Sequence, residues 1–395
     1  MIHSIVAAML VSFAAGVSSG TGSANPFAGA ARPLLVNLSL VPPLSVNSVF
    51  EYRTANALAL DLLVGDSAAL EGVELSGIGS RNGEVRGAQI AGLGNWVDAG
   101  AHGQAGDARG AQVAGLLNWT GGSLRGAQAA GALNSAGRDS SGAQVAGAVN
   151  LASALTGLQV AGALNLASAM SGVQVGGAVN LASAMSGVQV AGAVNVASEA
   201  PGVQVAGGMN FASGLAGVQV GVVNVARQAD GAQLGVVNVA EDADVSLGVF
   251  SWVKHGTHDV GLAATEYGVL AEADTGGRTL YGILTGGTAY RSHPRLYLLG
   301  LGIGWRALSA DAIALDVQAA AMQVVDADHW TERFLCSARA VVAMRVVGPL
   351  SVFAGPTFNF YVDSEPRKIE LVGHGWKSGT GVRFWPGILA GLRLF

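Results

Sequence analysis

The stretches Gly157-Leu-Gln-Val-Ala-Gly-Ala-Leu-Asn165-Leu-Ala and Gly187-Val-Gln-Val-Ala-Gly-Ala-Val-Asn195-Val-Ala decide the fold of this 395-residue chain. They are copies of one unit that recurs from about residue 72 to residue 253, mostly at steps of 14 to 16 residues. A short fixed period indicates stacked structural repeats, because each unit completes its core only against its neighbours. A glycine opens the successive units, at Gly72, Gly87, Gly110, Gly126, Gly142, Gly157, Gly172, Gly187, Gly202, Gly217 and Gly231.

Two amide residue types recur at fixed places in these units. As a row of ligands, they would bind a sugar, an ion or a partner surface. As a structural ladder, identical amides stacked at strand spacing would hydrogen-bond to each other or to the backbone and hold the repeats in register. We favour the structural ladder. Its clearest members are Gln144, Gln159, Gln174, Gln189, Gln204, Asn150, Asn165, Asn180, Asn195 and Asn210.

The residue types of the units predict β-structure. Valine-rich segments bounded by glycine and by short Ser, Ala and Asp turns are typical of strands. A helix with so many regularly placed glycines would lose about 1 kcal/mol at each of them. The repeats are therefore predicted to be all-β.

Two architectures fit these units. In a β-solenoid each unit is one coil, with the Gln segment on one side, the Asn segment on the next and the central Ala-Gly as a corner. In a membrane barrel each unit is one strand, and the alternation of apolar with small or polar residues along 203–212 matches lipid-facing and lumen-facing positions. The only charged residue between 140 and 226, Glu199, also suits lipid.

The spacing within the units favours the solenoid. Gln and Asn are six residues apart in most units, but five apart from Gln219 to Asn224 and from Gln233 to Asn238. A one-residue change inverts every later side chain of a continuous strand, whereas a corner absorbs it. The central glycine also suits a bend better than a lipid-facing ring, and the turn lengths show no alternation of inner and outer turns. The repeat stack is therefore predicted to be a β-solenoid.

The composition narrows the classes of function. Charged residues make up 12% of the chain, and the formal net charge is −5. Because such a chain has no basic field to gather phosphates, nucleic acid is not expected as a partner. The single cysteine, Cys336, excludes an internal disulfide and a thiolate metal cluster, and is expected to be a small apolar residue on a strand.

The N-terminal residues 1–30 are apolar, small and almost uncharged, and they predict a signal peptide. Residues 5–13 would form its apolar core, although no Lys or Arg precedes them. No other part of the sequence has the uninterrupted apolar run that predicts a transmembrane helix, so membrane residence would depend on strands. N-terminal strands are predicted over 31–71, ahead of the repeats at 72–253.

The C-terminal region, 254–395, predicts an antiparallel β-barrel of the outer-membrane type. It holds most of the aromatic residues of the chain, in strand-like runs of about ten residues with aromatics near their ends. The region is long enough for about seven or eight such strands. Arg393 stands where the terminal strand of such a barrel usually has an apolar residue. The clearest runs are 296–308, 312–325, 336–347, 350–362 and 382–395, with polar turns such as 363–368 between them.

Several segments, in their order along the chain, resemble the bacterial surface-repeat proteins first noted in leptospires. They are Ser39-Leu-Val-Pro-Pro-Leu-Ser-Val-Asn47, the Gly-Val-Gln and Val-Asn units, the exit from the repeats at 235–248, and the endings at 353–358 and 385–391. The resemblance covers nearly the whole chain after the predicted signal peptide. It implies export and an outer-membrane or cell-surface location, and it supplies no activity, cofactor or catalytic residue.

No motif in the sequence predicts catalysis. A nucleophile elbow, a phosphate-binding loop and a zinc-protease motif are all missing. The segment His255-Gly-Thr-His258 has the short spacing of a metal motif, and a hydrolase or metal site there would need carboxylates such as Asp259, Asp326 or Asp328. Histidines in turns and at barrel rims are far commoner than ligands, so we predict no catalytic, cofactor-binding or metal-binding residues. The other histidines of this region are His293, His329 and His374.

These observations predict a non-enzymatic outer-membrane or cell-surface protein of a Gram-negative-type bacterium. Its barrel would interact with the outer membrane, and its repeats would provide a surface that binds a surface ligand or other copies of the chain. The alternatives are an outer-membrane pore whose repeats are transmembrane strands, and an outer-membrane hydrolase. The divergent units at Gly72 and Asp244 are predicted to cap the stack, the second with Ser246 and Ser251 in place of Gln and Asn.

Overall fold

The protein is all-β, with a β-solenoid of about 13 turns and a closed antiparallel barrel. No helix of the described residues is long and apolar enough to cross a membrane. The predicted fold class is confirmed, whereas the predicted signal peptide lies outside the described residues. The computed structural model describes residues 33–42, 44–50, 55–98, 106–290, 295–310, 312–326, 332–364, 371–378 and 381–394.

The strands follow one another along nearly the whole described chain, and a short 3-10 helix (Val46–Phe50) follows β2. The strands are β1 (Pro33–Val41), β2 (Leu44–Ser45), β3 (Ala55–Asp61), β4 (Val64–Ser76), β5 (Gly79–Ala91), β6 (Gly94–Val97), β7 (Ala108–Ala114), β8 (Leu117–Thr120), β9 (Leu124–Ala130), β10 (Leu133–Ala146), β11 (Val149–Ala161), β12 (Leu164–Gly176), β13 (Val179–Ala191), β14 (Val194–Ala200), β15 (Gly202–Ala206), β16 (Met209–Leu215), β17 (Val218–Ala240), β18 (Asp242–Leu247), β19 (Phe250–Val253), β20 (Thr257–Thr265), β21 (Gly268–Gly276), β22 (Leu280–Ala289), β23 (Leu296–Ser309), β24 (Ile313–Asp326), β25 (Arg333–Val347), β26 (Leu350–Asp363), β27 (Trp376–Ser378) and β28 (Val382–Leu394).

The chain divides into two compact units, Met1–Ser213 and Gly214–Phe395. The first unit holds the repeats as far as β16, and the second holds the last coils together with β20 to β28. The boundary between the units therefore falls inside the repeat segment 72–253, and the last coils belong with the barrel that follows them.

In the first unit the repeats pair in parallel, with equivalent residues side by side. Between β11 and β12, Asn150 pairs with Asn165 and Gln159 pairs with Gln174, and β12 and β13 keep the same register. A solenoid produces this pairing, whereas the strands of a transmembrane barrel are antiparallel. The predicted solenoid is confirmed, and the alternative in which the repeats are transmembrane strands is wrong.

Five columns of buried side chains fill the interior of the coils. In one coil of the first unit they are represented by Asn165, Ala167, Met170, Gln174 and Gly176. Two of these columns hold only Ala or Gly in the neighbouring coils, so the coil is thin. The two amide columns therefore form a large part of the core.

Glycine is required where neighbouring coils approach each other most closely. Gly172 has a φ of +141°, and a Cβ at this position would collide with the carbonyl oxygen of Gly157 in the preceding coil. At the corner, a Cβ on Gly177 would collide with the carbonyl oxygen of Gly162. The parallel stacking of the backbone thus accounts for both glycines of the repeat.

The stack begins before Gly72, because β1, β3 and β4 already pair in parallel as coils. The repeat pattern is hidden there, since the Gln column continues as Glu74, Ala59 and Asn37. The end of the stack is covered by the β1–β2 hairpin and the 3-10 helix, where the Asn47 backbone N–H donates to Asn37 Oδ1 at 3.1 Å. The prediction that the Gly72 unit caps the stack is wrong for this reason.

The second unit begins with the last coils, β17 to β19. Although Gln219 and Asn224 are only five positions apart in the sequence, both side chains are fully buried, so the corner absorbs the missing residue. In the final coil Ser251 stands in register beside Asn238 and accepts a hydrogen bond from its Nδ2 at 3.2 Å. A serine hydroxyl therefore ends the Asn column in this unit.

In the described part of the chain, β20 to β26 and β28 form an antiparallel barrel of eight strands. β28 pairs with β26 on one side and with β20 on the other, which closes the sheet. The short β27 pairs with β28 outside this order. Closure leaves the sheet without an unpaired edge.

The connections at the two ends of the barrel differ in length. We call the end at which β20 begins the turn end and the opposite one the loop end. The turn end has the connections 277–279, 310–312 and 348–349. The loop end has the connections 266–267, 290–295, 327–332 and 364–381, and the last of these contains β27.

Candidate functional site

The ten amides of the predicted ladder lie inside the first unit, and each of them is 0% exposed. From Gln144 to Gln204, successive Gln side chains are joined by Nε2–H···Oε1 hydrogen bonds of 2.7 to 2.9 Å. From Asn150 to Asn210, successive Asn side chains are joined by Nδ2–H···Oδ1 hydrogen bonds of 2.9 to 3.0 Å. Because these groups are enclosed and bonded to each other, they serve the register of the coils and are out of reach of a ligand.

The two amide columns donate in opposite directions along the stack. Gln174 donates to Gln159 of the preceding coil, whereas Asn165 donates to Asn180 of the following coil. The Asn165 amide also donates to the carbonyl oxygen of Val175 at 2.8 Å, which ties the corner to the next coil. The amide dipoles of the two columns therefore oppose each other and largely cancel.

The Gln column contains an acid near its N-terminal end. Glu74 accepts hydrogen bonds from Asn82 Nδ2 at 2.5 Å and from Gln89 Nε2 at 3.1 Å, and the nearby Asp61 accepts one from Ser76 at 2.9 Å. Burial raises the pKa of Glu74 to about 8, and the charge of Asp61 acts in the same direction. Burial also raises the pKa of Asp61. The pair of carboxyl groups therefore retains a proton near neutral pH.

Within the second unit, the last coil lies against the turn end of the barrel. Val245 of the coil pairs with Leu280 at the start of β22. The backbone N–H of Arg278 donates to the Ala243 carbonyl oxygen at 2.9 Å, and its guanidinium donates to the Asp244 carboxylate at 2.9 Å. The barrel turn 277–279 thus contacts the edge of the coil that has no further coil beyond it.

Charged side chains from four strands meet inside the barrel. Asp316 accepts hydrogen bonds from Arg306 Nε and from Arg393 Nη1, both at 2.9 Å. Asp259 Oδ2 lies 3.1 Å from Arg306 Nη2 and 3.4 Å from Arg393 Nη1. Two acids and two bases compensate one another, as buried charges must. The inward position of Arg393 explains its place in the terminal strand.

Further ion pairs fill other parts of the barrel interior. Arg339 Nη1 lies 2.5 Å from Glu272 Oε1, and Arg333 Nε lies 3.1 Å from Asp363 Oδ1. The space enclosed beside Glu272 and Asp259 has a volume of about 10 Å³, which is about the size needed for one water molecule. Side chains therefore fill the lumen in this region.

The outer surface of the barrel is apolar. On β23, Leu299, Leu301 and Ile303 are 51%, 52% and 53% exposed. A water-soluble protein seldom exposes so large a continuous apolar surface. Other exposed apolar side chains on the barrel strands are Val260, Leu262, Leu284, Val317, Val342, Met344, Phe358, Ile388 and Leu392.

The predicted metal-like histidines do not form a site with the carboxylates near them in sequence. His255 Nδ1 lies 3.2 Å from Asp242 Oδ1, whereas His258 contacts a backbone carbonyl oxygen. Asp259 is engaged by the barrel arginines, and Asp326 ends β24 at the loop end. The described ranges contain no group of three side chains that could hold a metal ion. His293, His329 and Asp328 lie outside these ranges.

Open cavities are present at both ends of the barrel. The cavity at the turn end, of about 320 Å³, is lined by Arg306 and Arg393, which are already engaged by carboxylates. The cavity at the loop end, of about 570 Å³, is lined by His374 and Glu266. Glu266 accepts hydrogen bonds from the side chains of Asn359 and Trp385. The arginines and Glu266 are thus used in holding the barrel together.

The sequence analysis did not identify the buried charges of the barrel or the acids of the first coils. The sequence does contain a signal for the buried charges of the barrel, because Asp316, Arg339 and Arg393 are isolated charged residues in otherwise apolar runs. Each of these residues is buried, on the side of its strand that faces the barrel interior. The signal for Glu74 is weaker, because its place in the Gln column is evident only once β4 and β5 are paired.

No family model matches the chain, and no curated protein is similar to it. A solved structure described as "De novo design of transmembrane beta-barrels" is similar to 35% of this chain and 94% of its own chain. The sequence identity is 14% and the TM-score is 0.24. The resemblance to the leptospiral surface-repeat proteins stays a prediction.

Proposed function

We propose that this chain is a non-enzymatic outer-membrane protein, in which the barrel lies in the lipid and the solenoid is a scaffold for interaction with other molecules. The observation that carries the proposal is the apolar outer surface of the barrel, together with the charged groups that its interior encloses beside apolar residues. Ion pairs such as Arg339 with Glu272 lie inside, while Leu301 and its neighbours face outward. In water this surface would be costly, whereas in a bilayer it is buried.

The backbone of the barrel also suits lipid. A bilayer offers no hydrogen-bond partners, so a spanning sheet must satisfy its own N–H and C=O groups by closing on itself. The pairing of β20 with β28 meets this requirement. The barrel strands have 9 to 15 residues, and a transmembrane strand needs about 9 to 11.

The scaffold role of the solenoid is supported by the way its polar groups are used. The Gln and Asn side chains are fully buried and bond to one another inside the coils. The outward positions carry partly exposed aliphatic residues such as Val145, Leu158 and Val190. A regular surface of this kind suits contact with a partner or with another copy of the chain.

The filled lumen argues against a pore through the barrel. Arg306, Asp316, Arg393 and Asp259 cross-link strands inside it, and moving any of these groups would leave a buried charge uncompensated. We therefore expect purified protein in planar bilayers to give no stepwise conductance.

The test is fractionation of the full chain expressed in a Gram-negative host. We expect the protein to sediment with outer-membrane markers in a density gradient and to stay in the pellet after washing at alkaline pH. We also expect folded and boiled samples to migrate differently in electrophoresis. Recovery of folded protein in the soluble fraction would contradict the membrane location.

A further inference from the structure

We infer that the last coils of the repeats, β17 to β19, lie on the periplasmic side of the outer membrane, so that their surface meets partners inside the cell envelope. The inference rests on the proposed membrane location of the barrel and specifies the side on which the scaffold works. It departs from the cell-surface location that the sequence resemblance implies.

The first observation is the difference between the two barrel ends. The connections at the turn end have two or three residues, at 277–279, 310–312 and 348–349. Three of the four at the loop end are longer, with six residues at 290–295 and at 327–332 and eighteen at 364–381. Outer-membrane barrels place short turns in the periplasm and longer loops outside the cell. The turn end is therefore the periplasmic end.

The second observation is the path of the chain into the barrel. β20 is the first barrel strand, and it begins at the turn end. Described residues that precede it belong to coils or to their connections, and none of them is a barrel strand. Along its described part, the chain therefore reaches the barrel from the turn side without an earlier barrel strand through the bilayer.

The third observation is the contact of the last coil with the barrel. Val245 pairs with Leu280, and Arg278 bonds to Ala243 and Asp244, all at the turn end. This contact fixes the last coil beside the short turns. A coil held there cannot lie among the long loops at the opposite face of the membrane.

The test compares two single-cysteine forms of the full chain in living cells. The native Cys336 is first replaced by Ser, and the exposed residues Asp230 of the last coils and Ser364 of the loop end then supply the sites D230C and S364C. Cells are treated with a bulky maleimide that does not cross the outer membrane, before and after permeabilisation. Denatured samples show that both cysteines can react.

We expect S364C to be labelled in intact cells and D230C to be labelled only after the outer membrane is permeabilised. Labelling of D230C in intact cells, or protection of S364C in intact cells, would overturn the inference. Fractionation of the same cells separates the two proposals. Protein that is in the outer membrane with reversed labelling refutes only the sidedness, whereas protein absent from the membrane refutes the proposed function.

Discussion

The solenoid coils and the barrel both bury polar groups among apolar residues, but they satisfy these polar groups in different ways. In the coils, neutral amides bond along the stack, as Gln174 does to Gln159. In the barrel, full charges bond across strands that are distant in sequence, as Arg393 does to Asp316. The coil interior is therefore built from identical local contacts, whereas the barrel interior depends on particular long-range pairs.

This difference has an energetic consequence. An amide hydrogen bond contributes about 0.5–1.5 kcal/mol net, and the same contact is repeated in every coil of the ladder. Breaking a buried ion pair costs about 3–5 kcal/mol, because the remaining charge loses its partner. A single substitution should thus affect the barrel more than the coils, and the following variants test the comparison.

The largest effect is expected for Asp316→Ala. It removes the carboxylate that accepts hydrogen bonds from both Arg306 and Arg393, and should destabilise the barrel by about 3–5 kcal/mol. The measurement is urea unfolding in lipid vesicles, with the heat-dependent electrophoretic shift as a barrel-specific readout. The control Val317→Ala changes the next, outward residue and should cost less than about 1.5 kcal/mol. Equal effects of both variants would refute the role of the ion cluster.

The second variant pair places arginine on an exposed leucine in each region. Leu301→Arg would put a charge on the proposed lipid face near the middle of β23, and should cost about 2–4 kcal/mol and reduce the membrane-inserted fraction. Leu158→Arg changes an exposed leucine of the solenoid and should change stability by less than about 1 kcal/mol. An unchanged inserted fraction for Leu301→Arg would argue against lipid at this surface.

A smaller effect is expected within the amide ladder. Gln174→Leu leaves Gln159 Oε1 and Gln189 Nε2 without their partners, and should destabilise the neighbouring coils by about 2–3 kcal/mol. Hydrogen exchange with mass spectrometry should show faster exchange confined to the adjacent coils. Ser171→Ala, at an exposed position of the same strand, should stay within about 0.5 kcal/mol of the unmodified protein. Unchanged exchange in Gln174→Leu would mean that the ladder does not stabilise the stack.

The smallest effect concerns Glu74. Since its pKa is about 8 in the folded protein and 4.5 is the ordinary value, unfolding releases a proton between these pH values and stability falls as pH rises through them. Glu74→Gln restores an amide to the Gln column and removes this dependence. It should stabilise the first coils at pH 8, where ionisation of the carboxyl group favours the unfolded state, and have little effect at pH 4. An equal change at both pH values in chemical unfolding would exclude the titration of Glu74 as its cause.

The solenoid could be predicted from the sequence because its contacts are local and repeated. The spacing from Gln159 to Gln174 along the sequence equals the length of one coil. The five-residue spacing from Gln219 to Asn224 indicates a corner between the Gln and Asn segments. The start of the stack could not be predicted, because Glu74 and Asn37 replace the residue that marks the repeat.

The sequence could predict that the C-terminal region is an antiparallel barrel, but it could not predict which strands close the barrel or which charges pair inside it. The alternation of residues along β23 indicates two faces, but the closure of β20 on β28 joins segments more than a hundred residues apart. The partners of Asp316 depend on that closure, so their pairing is not evident from local spacing. Similarly, the direction of donation in the two amide columns follows from the packed coils and not from residue identity.

The most direct test of the lipid-facing barrel uses the native Cys336, which is exposed on β25. A nitroxide attached to this residue in protein reconstituted into vesicles reports which solvent surrounds it, through electron paramagnetic resonance accessibility. We expect frequent collisions with oxygen, which concentrates in lipid, and few with a water-soluble nickel complex. Greater accessibility to the nickel complex than to oxygen would place this face in water and contradict the account.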